Sequence, residues 1–126
     1  MVRRAIEAFN RGDLEAVVVD FDPDIEYTTS GRFPDAHGTW HGPEEYVRFL
    51  RTFWSEFDDP RAEVEELVDA GDQVLACQTI NGRGKKSGAE VSVPLFQLWT
   101  IRDGAVVGGR GFMTRAEARE AAGLAE

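Results

Sequence analysis

One stretch, Ala89 to Arg102, constrains the fold of this chain more than any other. It reads as a single β-strand. Fully straight, at about 3.3 Å per residue, it would run roughly 45 Å. That is too long for a flat sheet in a chain of 126 residues. Pro94 removes one ladder donor from it, as expected at a bend or a free edge. The sheet must therefore curve, and a curved sheet has a hollow to fill. Leu95 to Ile101 is apolar on both strand faces. One face can line the hollow. The other needs cover, and a second copy of the chain would supply it unless the chain's own helices cover both faces.

A roof for the hollow is also legible. Tyr46, Val47, Phe49, Leu50, Phe53, Trp54 and Phe57 recur at helical spacing. Pro43 suits the first helical position, and Glu44 and Glu45 suit the positive end of the helix dipole. Asp58-Asp59-Pro60 closes the segment. Upstream, Val2 to Asn10 reads as a helix with Val2, Ala5, Ile6 and Phe9 on one face. Gly12 stops it, Asp13 caps a second helix from Leu14 to about Phe21, and Pro23 ends that one. Ile25 to Ser30 reads as a strand and Gly31 to Gly42 as a loop.

The second half reads as a meander. Arg61 to Asp69 is a strand whose alternation breaks at Glu65-Glu66, the mark of a bulge. Ala70-Gly71-Asp72 turns into Gln73 to Asn81, and the Gly-rich segment Gly82 to Gly88 leads to the long strand. Asp103-Gly104 is a two-residue hairpin turn into Ala105 to Phe112. Thr114 and Glu117 form a capping box for a last short helix ending near Gly123.

The totals fit one α+β domain over residues 1–126. A pocket in so small a core removes packing, and dimerisation would offset that. The net charge of -9 disfavours nucleic acid and anionic membranes as partners. Cys77 is the one cysteine, so no internal disulfide forms, and it sits in an apolar run that favours plain burial. No secretory or membrane-spanning run is evident, and the expected location is the cytoplasm.

This order of elements resembles the SnoaL-like branch of the nuclear transport factor 2-like superfamily. The resemblance is carried by Ala8 to Leu14, Asp22 to Tyr27, Trp40 to Tyr46, Ala70 to Val74, Arg83 to Gly88, Leu98 to Gly104, Arg115 to Ala118 and Ala122 to Leu124. It implies a cone: N-terminal helices and one long helix packed in the hollow of a strongly curved antiparallel sheet. It also implies a homodimer through the outer sheet face and an apolar small molecule as ligand. Activities in the superfamily include steroid isomerisation, epoxide hydrolysis, cyclisation and dehydration, so the fold does not fix the reaction.

Ketosteroid isomerase gives the sharpest test. Its asparagine-glycine-aspartate turn, laid on Asn10 to Asp13, puts its catalytic tyrosine at Ala5 and its general base at Thr28. Its proline before the long strand, laid on Pro94, puts its oxyanion-hole acid at Phe96. Alanine and phenylalanine donate no hydrogen bond to an oxyanion, which excludes that mechanism. An epoxide-hydrolase relay needs two aspartates around an arginine. Arg110 is available, but Thr114 stands where relatives carry aspartate, leaving Glu26 or Glu90 as substitutes. Asp35, His37 and His41 share no helix face and lack a fourth partner, so no metal or other cofactor is expected. Asp20 to Asp24 opens like a calcium loop but has Ile25 and Gly31 at the wrong places.

If Thr28 faces the pocket, as the isomerase register implies, Glu26 shares its side and Tyr27 faces away. The expected pocket is then Thr28, Trp40, Phe49, Phe53, Trp54, Phe96, Leu98 and Arg110. Gly108, Gly109 and Gly111 leave space around Arg110, which calls for an acid such as Glu26 or an anionic ligand. Glu26, His41 and Arg110 are the catalytic candidates. Two functional readings stay open. One is a cyclase-, isomerase- or dehydratase-type enzyme on an apolar substrate. The other is a non-catalytic ligand-binding or dimeric scaffold domain.

Overall fold

The computed structural model describes residues 1–29, 38–55 and 57–124, with Phe53 described by its backbone alone. The chain runs α1 (Val2–Arg11), α2 (Leu14–Val17), β1 (Phe21–Thr29), β2 (Gly38–His41) and α3 (Gly42–Trp54). It continues through β3 (Phe57–Ala70), β4 (Gln73–Gly84), β5 (Glu90–Arg102) and β6 (Ala105–Phe112) to α4 (Arg115–Ala121). The strands make one six-stranded sheet in the order β2-β1-β6-β5-β4-β3. Every pairing is antiparallel except β1 with β6. The fold is α+β, and no described helix is long and apolar enough to cross a membrane.

Local chemistry sets the meander. Asp103 and Gly104 both take positive φ, 51° and 78°, as the tight β5–β6 hairpin requires. The β3–β4 register slips between Val64 and Glu66, leaving Glu65 as the bulged residue. Beside β5, β6 pairs only from Phe96 onward, so Pro94 lies where β5 has β4 as its one neighbour. Thr114 Oγ1 accepts from the Glu117 N–H at 3.2 Å and so starts α4.

Several boundaries differ from the sequence reading, among them β1, which begins at Phe21, and β4, which runs on to Gly84. Helix α2 stops at Val17, and Pro23 lies inside β1, where the β1–β6 ladder is interrupted between Phe21 and Glu26. The segment read as a loop contains β2, which pairs with β1 from Glu26–His41 to Thr29–Gly38. Phe57 opens β3 instead of closing α3.

The two sheet faces are closed differently. Helices α1 and α3 lie against the inner face, whose core includes Ile25, Tyr27, Ala76, Ile80 and Trp99. The outer face carries Leu75, Cys77, Phe96, Leu98 and Phe112, all buried, with Ala118, Ala121, Ala122 and Leu124 packed on them. Of the two covers expected for this stretch, a second copy or the chain's own helices, the C-terminal helix supplies one.

Candidate functional site

A row of side chains across the inner face builds the site. The register aligns Trp40, Tyr27, Gly109, Trp99 and Val74 on neighbouring strands. Tyr27 and Trp99 stack over the glycine between them, with ring centroids 5.3 Å apart and planes at 30°. A Cβ on Gly109 would fall 2.4 Å from Trp99 and 2.8 Å from Tyr27. The glycine-rich stretch therefore makes room for two rings inside the hollow. It does not make room for Arg110, which points outward. From α3, Tyr46 meets Tyr27 edge-on at 4.8 Å, and Phe49 lies 4.2 Å from Trp40.

Two residues along β5, Gln97 sits opposite Ala76 and Gly111, whose small size leaves it room. Gln78 of β4 is its diagonal neighbour on the same face. Gln78 Nε2 donates to Gln97 Oε1 at 2.7 Å. Gln97 Nε2 donates to the Tyr27 hydroxyl at 2.9 Å and to the Tyr46 hydroxyl at 3.5 Å. The four residues are 2–8% exposed. Burial pushes the Tyr27 phenol up to about 12, against a smaller lowering by the Gln97 hydrogen bond. Burial also raises Tyr46 well above the usual phenol range, and the neighbouring Tyr27 adds to it. Both phenols are thus neutral, proton-bearing groups at any physiological pH.

Tyr46, Gln78 and Gln97 of this network line the deep end of a cavity of about 70 Å³, while Tyr27 borders a smaller space beside it. Ala5, Ile6 and Phe9 of α1 roof the larger cavity; Tyr46, Leu50 and Trp54 of α3 and Leu95, Gln97 and Trp99 of β5 wall it. The smaller space, of about 20 Å³, shares Tyr46, Leu50, Trp54, Leu95 and Gln97 with it and is bordered also by Tyr27 and Phe49. At the mouth stand Met1 and Val19, the exposed large apolar residues among those described. Beside them Arg4 pairs with Asp20 at 3.0 Å. Asp20 is the one carboxylate on the cavity wall among the described residues. The far end of α1 is fixed more firmly: Asn10 exchanges two hydrogen bonds with the Ala62 backbone, at 2.7 and 3.0 Å.

Of the residues expected to form the pocket, the structure brings Trp54 and Phe49 to the cavity walls, with Trp40 packed behind Phe49. The Phe53 side chain lies outside the described residues. Thr28, Phe96, Leu98 and Arg110 lie on the other face. The exposed Thr28 meets Thr39 at 3.2 Å, and the exposed Arg110 lies over the Phe112 ring at 5.1 Å. Phe96 and Leu98 are core under α4. The isomerase register is thus one residue out of phase on both strands: Tyr27 and Gln97 face in, Thr28 and Phe96 face out. Ala5, the third aligned position, does face the cavity. Glu26 and His41 stand 3.7 Å apart on the outside, with side chains 63% and 65% exposed. Asp35 and His37 lie outside the described residues. Alternation of Ile25 and Tyr27 against Glu26 and Thr28 was itself the signal for the correct face.

Comparison with known proteins follows the same lines. The SnoaL-like domain family matches residues 2–108. The chain belongs to the SnoaL-like family. An NTF2-like protein from Burkholderia thailandensis superposes with a TM-score of 0.79 at 28% identity, covering 93% of this chain and 92% of that one. An NTF2-like protein of unknown function from Burkholderia pseudomallei gives 0.77 at 25% identity over 94% and 92%. A protein of ketosteroid isomerase-like fold from Catenulispora acidiphila, crystallised with trimethylamine, gives 0.76 at 18% identity over 98% and 92%. No curated protein matches the chain. The SnoaL-like match ends at Gly108, so Gly109, Arg110 and helix α4 lie beyond it.

Proposed function

We propose that this SnoaL-like chain takes up a small apolar molecule in the cavity beneath α1 and orients it by hydrogen bonds at the deep end. The observation that carries this reading is the amide–phenol network Gln78–Gln97–Tyr27/Tyr46, buried beneath a cavity wall that is polar elsewhere only at the Arg4–Asp20 mouth. Buried polar groups cost stability unless they are well paired, so three of them on the wall of one cavity, with Tyr27 bonded to them from the adjoining space, favour a ligand-binding role.

The enzyme reading that relied on Glu26, His41 and Arg110 is withdrawn, since all three face solvent. Neutral phenols orient an oxygen and stabilise negative charge developing on it. They take no proton near neutral pH. Any proton transfer inside the cavity falls to Asp20 at the mouth, the carboxylate paired with Arg4. Cover of the apolar outer stretch is no longer a reason for a homodimer, because α4 supplies it; the packing lost to the cavity still is one.

The cavity is smaller than the roughly 150 Å³ that holds benzene in an engineered core, so a ring enters only as the roof yields. Helix α1 is the wall to yield, because the contact at its open end is an exposed ion pair. The test is native mass spectrometry of protein purified from its own host, followed by thermal shift with ring-sized apolar compounds. A retained small molecule, or a rise in Tm that Leu50→Trp abolishes by filling the cavity, supports the reading. No retained molecule and no Tm response to any such compound would sink it.

A further inference from the structure

The hydrogen-bond inventory of the deep end is incomplete, and what is missing describes the ligand. This inference rests on the cavity being a ligand site. Each phenol oxygen accepts from Gln97 Nε2. Neither Tyr27 nor Tyr46 has an acceptor for its own proton among the described residues, although both rings are almost fully buried. A phenol hydroxyl both donates and accepts, so each keeps one donor in reserve. The two rings meet edge-on at 4.8 Å, and one amide nitrogen touches both hydroxyls, so the two donors start from one place. A single sp² oxygen has two lone pairs and can accept both. Among the described residues no Lys, Arg or His borders the smaller space, and the one cation on the larger, Arg4, is already paired with Asp20 at its mouth, so the site offers a full negative charge no free counter-ion.

We infer that Tyr27 and Tyr46 grip one uncharged carbonyl oxygen of a ring-sized apolar ligand, with Gln97 fixing both hydroxyls from behind. Gln97 is then a positioning residue. The oxygen sits in the smaller space, which Tyr27, Tyr46 and Gln97 border, and the apolar body lies in the larger one against Trp99. No covalent step is involved; the carbonyl is bound and polarised.

The arrangement of the amides matters to the outcome. With both glutamine amides reversed, the phenols would donate to Gln97, and Gln78 would turn its N–H groups on the ligand. The site would then prefer a ligand that donates nothing and accepts from an amide instead of from phenols. Replacing the phenols separates the two arrangements.

The test uses two isosteric probes, acetophenone and α-methylstyrene, which differ by a carbonyl oxygen against a methylene. Affinity is measured by calorimetry for the native chain, Tyr27→Phe, Tyr46→Phe and the double variant, each checked for native circular dichroism. The expected result is at least tenfold preference for acetophenone in the native chain. Each single variant lowers that preference, and the double variant reduces it to within about twofold, while α-methylstyrene binding holds. The infrared carbonyl band of bound acetophenone should lie below its position in an apolar solvent and return toward it in the double variant. A preference that survives loss of both hydroxyls overturns the phenol grip and points to Gln78. Equal binding of the two probes by the native chain overturns it as well. Binding of neither probe overturns the cavity reading and this one with it.

Discussion

Gln97 and Leu98 are adjacent in the chain, both nearly buried, and closed off by different devices. Gln97 faces a cavity roofed by α1 and α3, bordered by space and by hydroxyls with hydrogen-bonding capacity in reserve. Leu98 faces outward into a dry contact with Leu75, Phe96 and Phe112 beneath α4. Tyr27 and Thr28 repeat the contrast on β1. The same strands thus carry a closely packed core on one face and an incompletely packed, cavity-lining surface on the other. Burial alone does not distinguish the two faces; the unspent polar capacity does.

The outer face should be the more fragile to truncation. Leu98→Ala removes a side chain that is 1% exposed in the middle of that contact. Losses of about 2–5 kcal/mol accompany such truncations. Urea unfolding should show it. If α4 is the true cover, the loss will be the same at micromolar and millimolar protein. A loss that grows on dilution would restore the partner subunit to that face.

The inner face should reveal itself at high pH. Tyr27 is raised to about 12 in the folded chain against 10 unfolded. The unfolded chain therefore releases this proton first, and stability present below pH 10 falls as pH rises through 12. A shift of this size corresponds to roughly 2–3 kcal/mol. Rapid denaturant unfolding between pH 9 and 12 should give a steep decline for the native chain and a shallower one for Tyr27→Phe. Parallel declines would mean that the hydroxyl reaches solvent.

Much of this architecture is written locally. The Asp103-Gly104 turn, the Glu65 bulge, the Thr114 cap and the aromatic period of α3 each follow from a few adjacent residues. Strand phase was different. In Leu95 to Ile101 both faces are apolar, so alternation cannot choose between them. On β1 the plain pattern of Ile25 and Tyr27 against Glu26 and Thr28 gives the observed phase, and the isomerase register gives the opposite one. The network itself joins four residues from four elements, with Tyr27 and Gln97 seventy positions apart. Only the folded register brings them together.

Gly109 tests that register directly. Its Gly-rich neighbourhood suggested room for Arg110, yet the room is taken by Trp99 and Tyr27 from the other side. Gly109→Ala should destabilise by about 1–3 kcal/mol, the usual cost of overpacking. It should also displace the Trp99 ring, read as a shift in tryptophan emission. Gly108→Ala is the control, because a Cβ there meets only ordinary contacts at 3.9 Å. Equal effects of the two substitutions would place the stacked pair elsewhere.

The smallest effect is expected where the sequence looked most like chemistry. Glu26 and His41 face each other on neighbouring strands, a carboxylate beside an imidazole. Such a pair invites an acid–base reading. But both side chains are more than half exposed and 3.7 Å apart, where water screens their attraction and competes for both partners. His41 contributes its backbone instead: its N–H donates to Glu45 Oε1 at 3.0 Å at the start of α3. That contact survives His41→Ala, which keeps the backbone N–H. Glu26→Gln and His41→Ala should therefore each alter stability by less than about 0.5 kcal/mol and leave probe affinity in the cavity unchanged. If either weakened acetophenone binding severalfold, the outer face would have to communicate with the cavity through β1. The division between the two faces, on which the phenol assignment depends, would no longer hold.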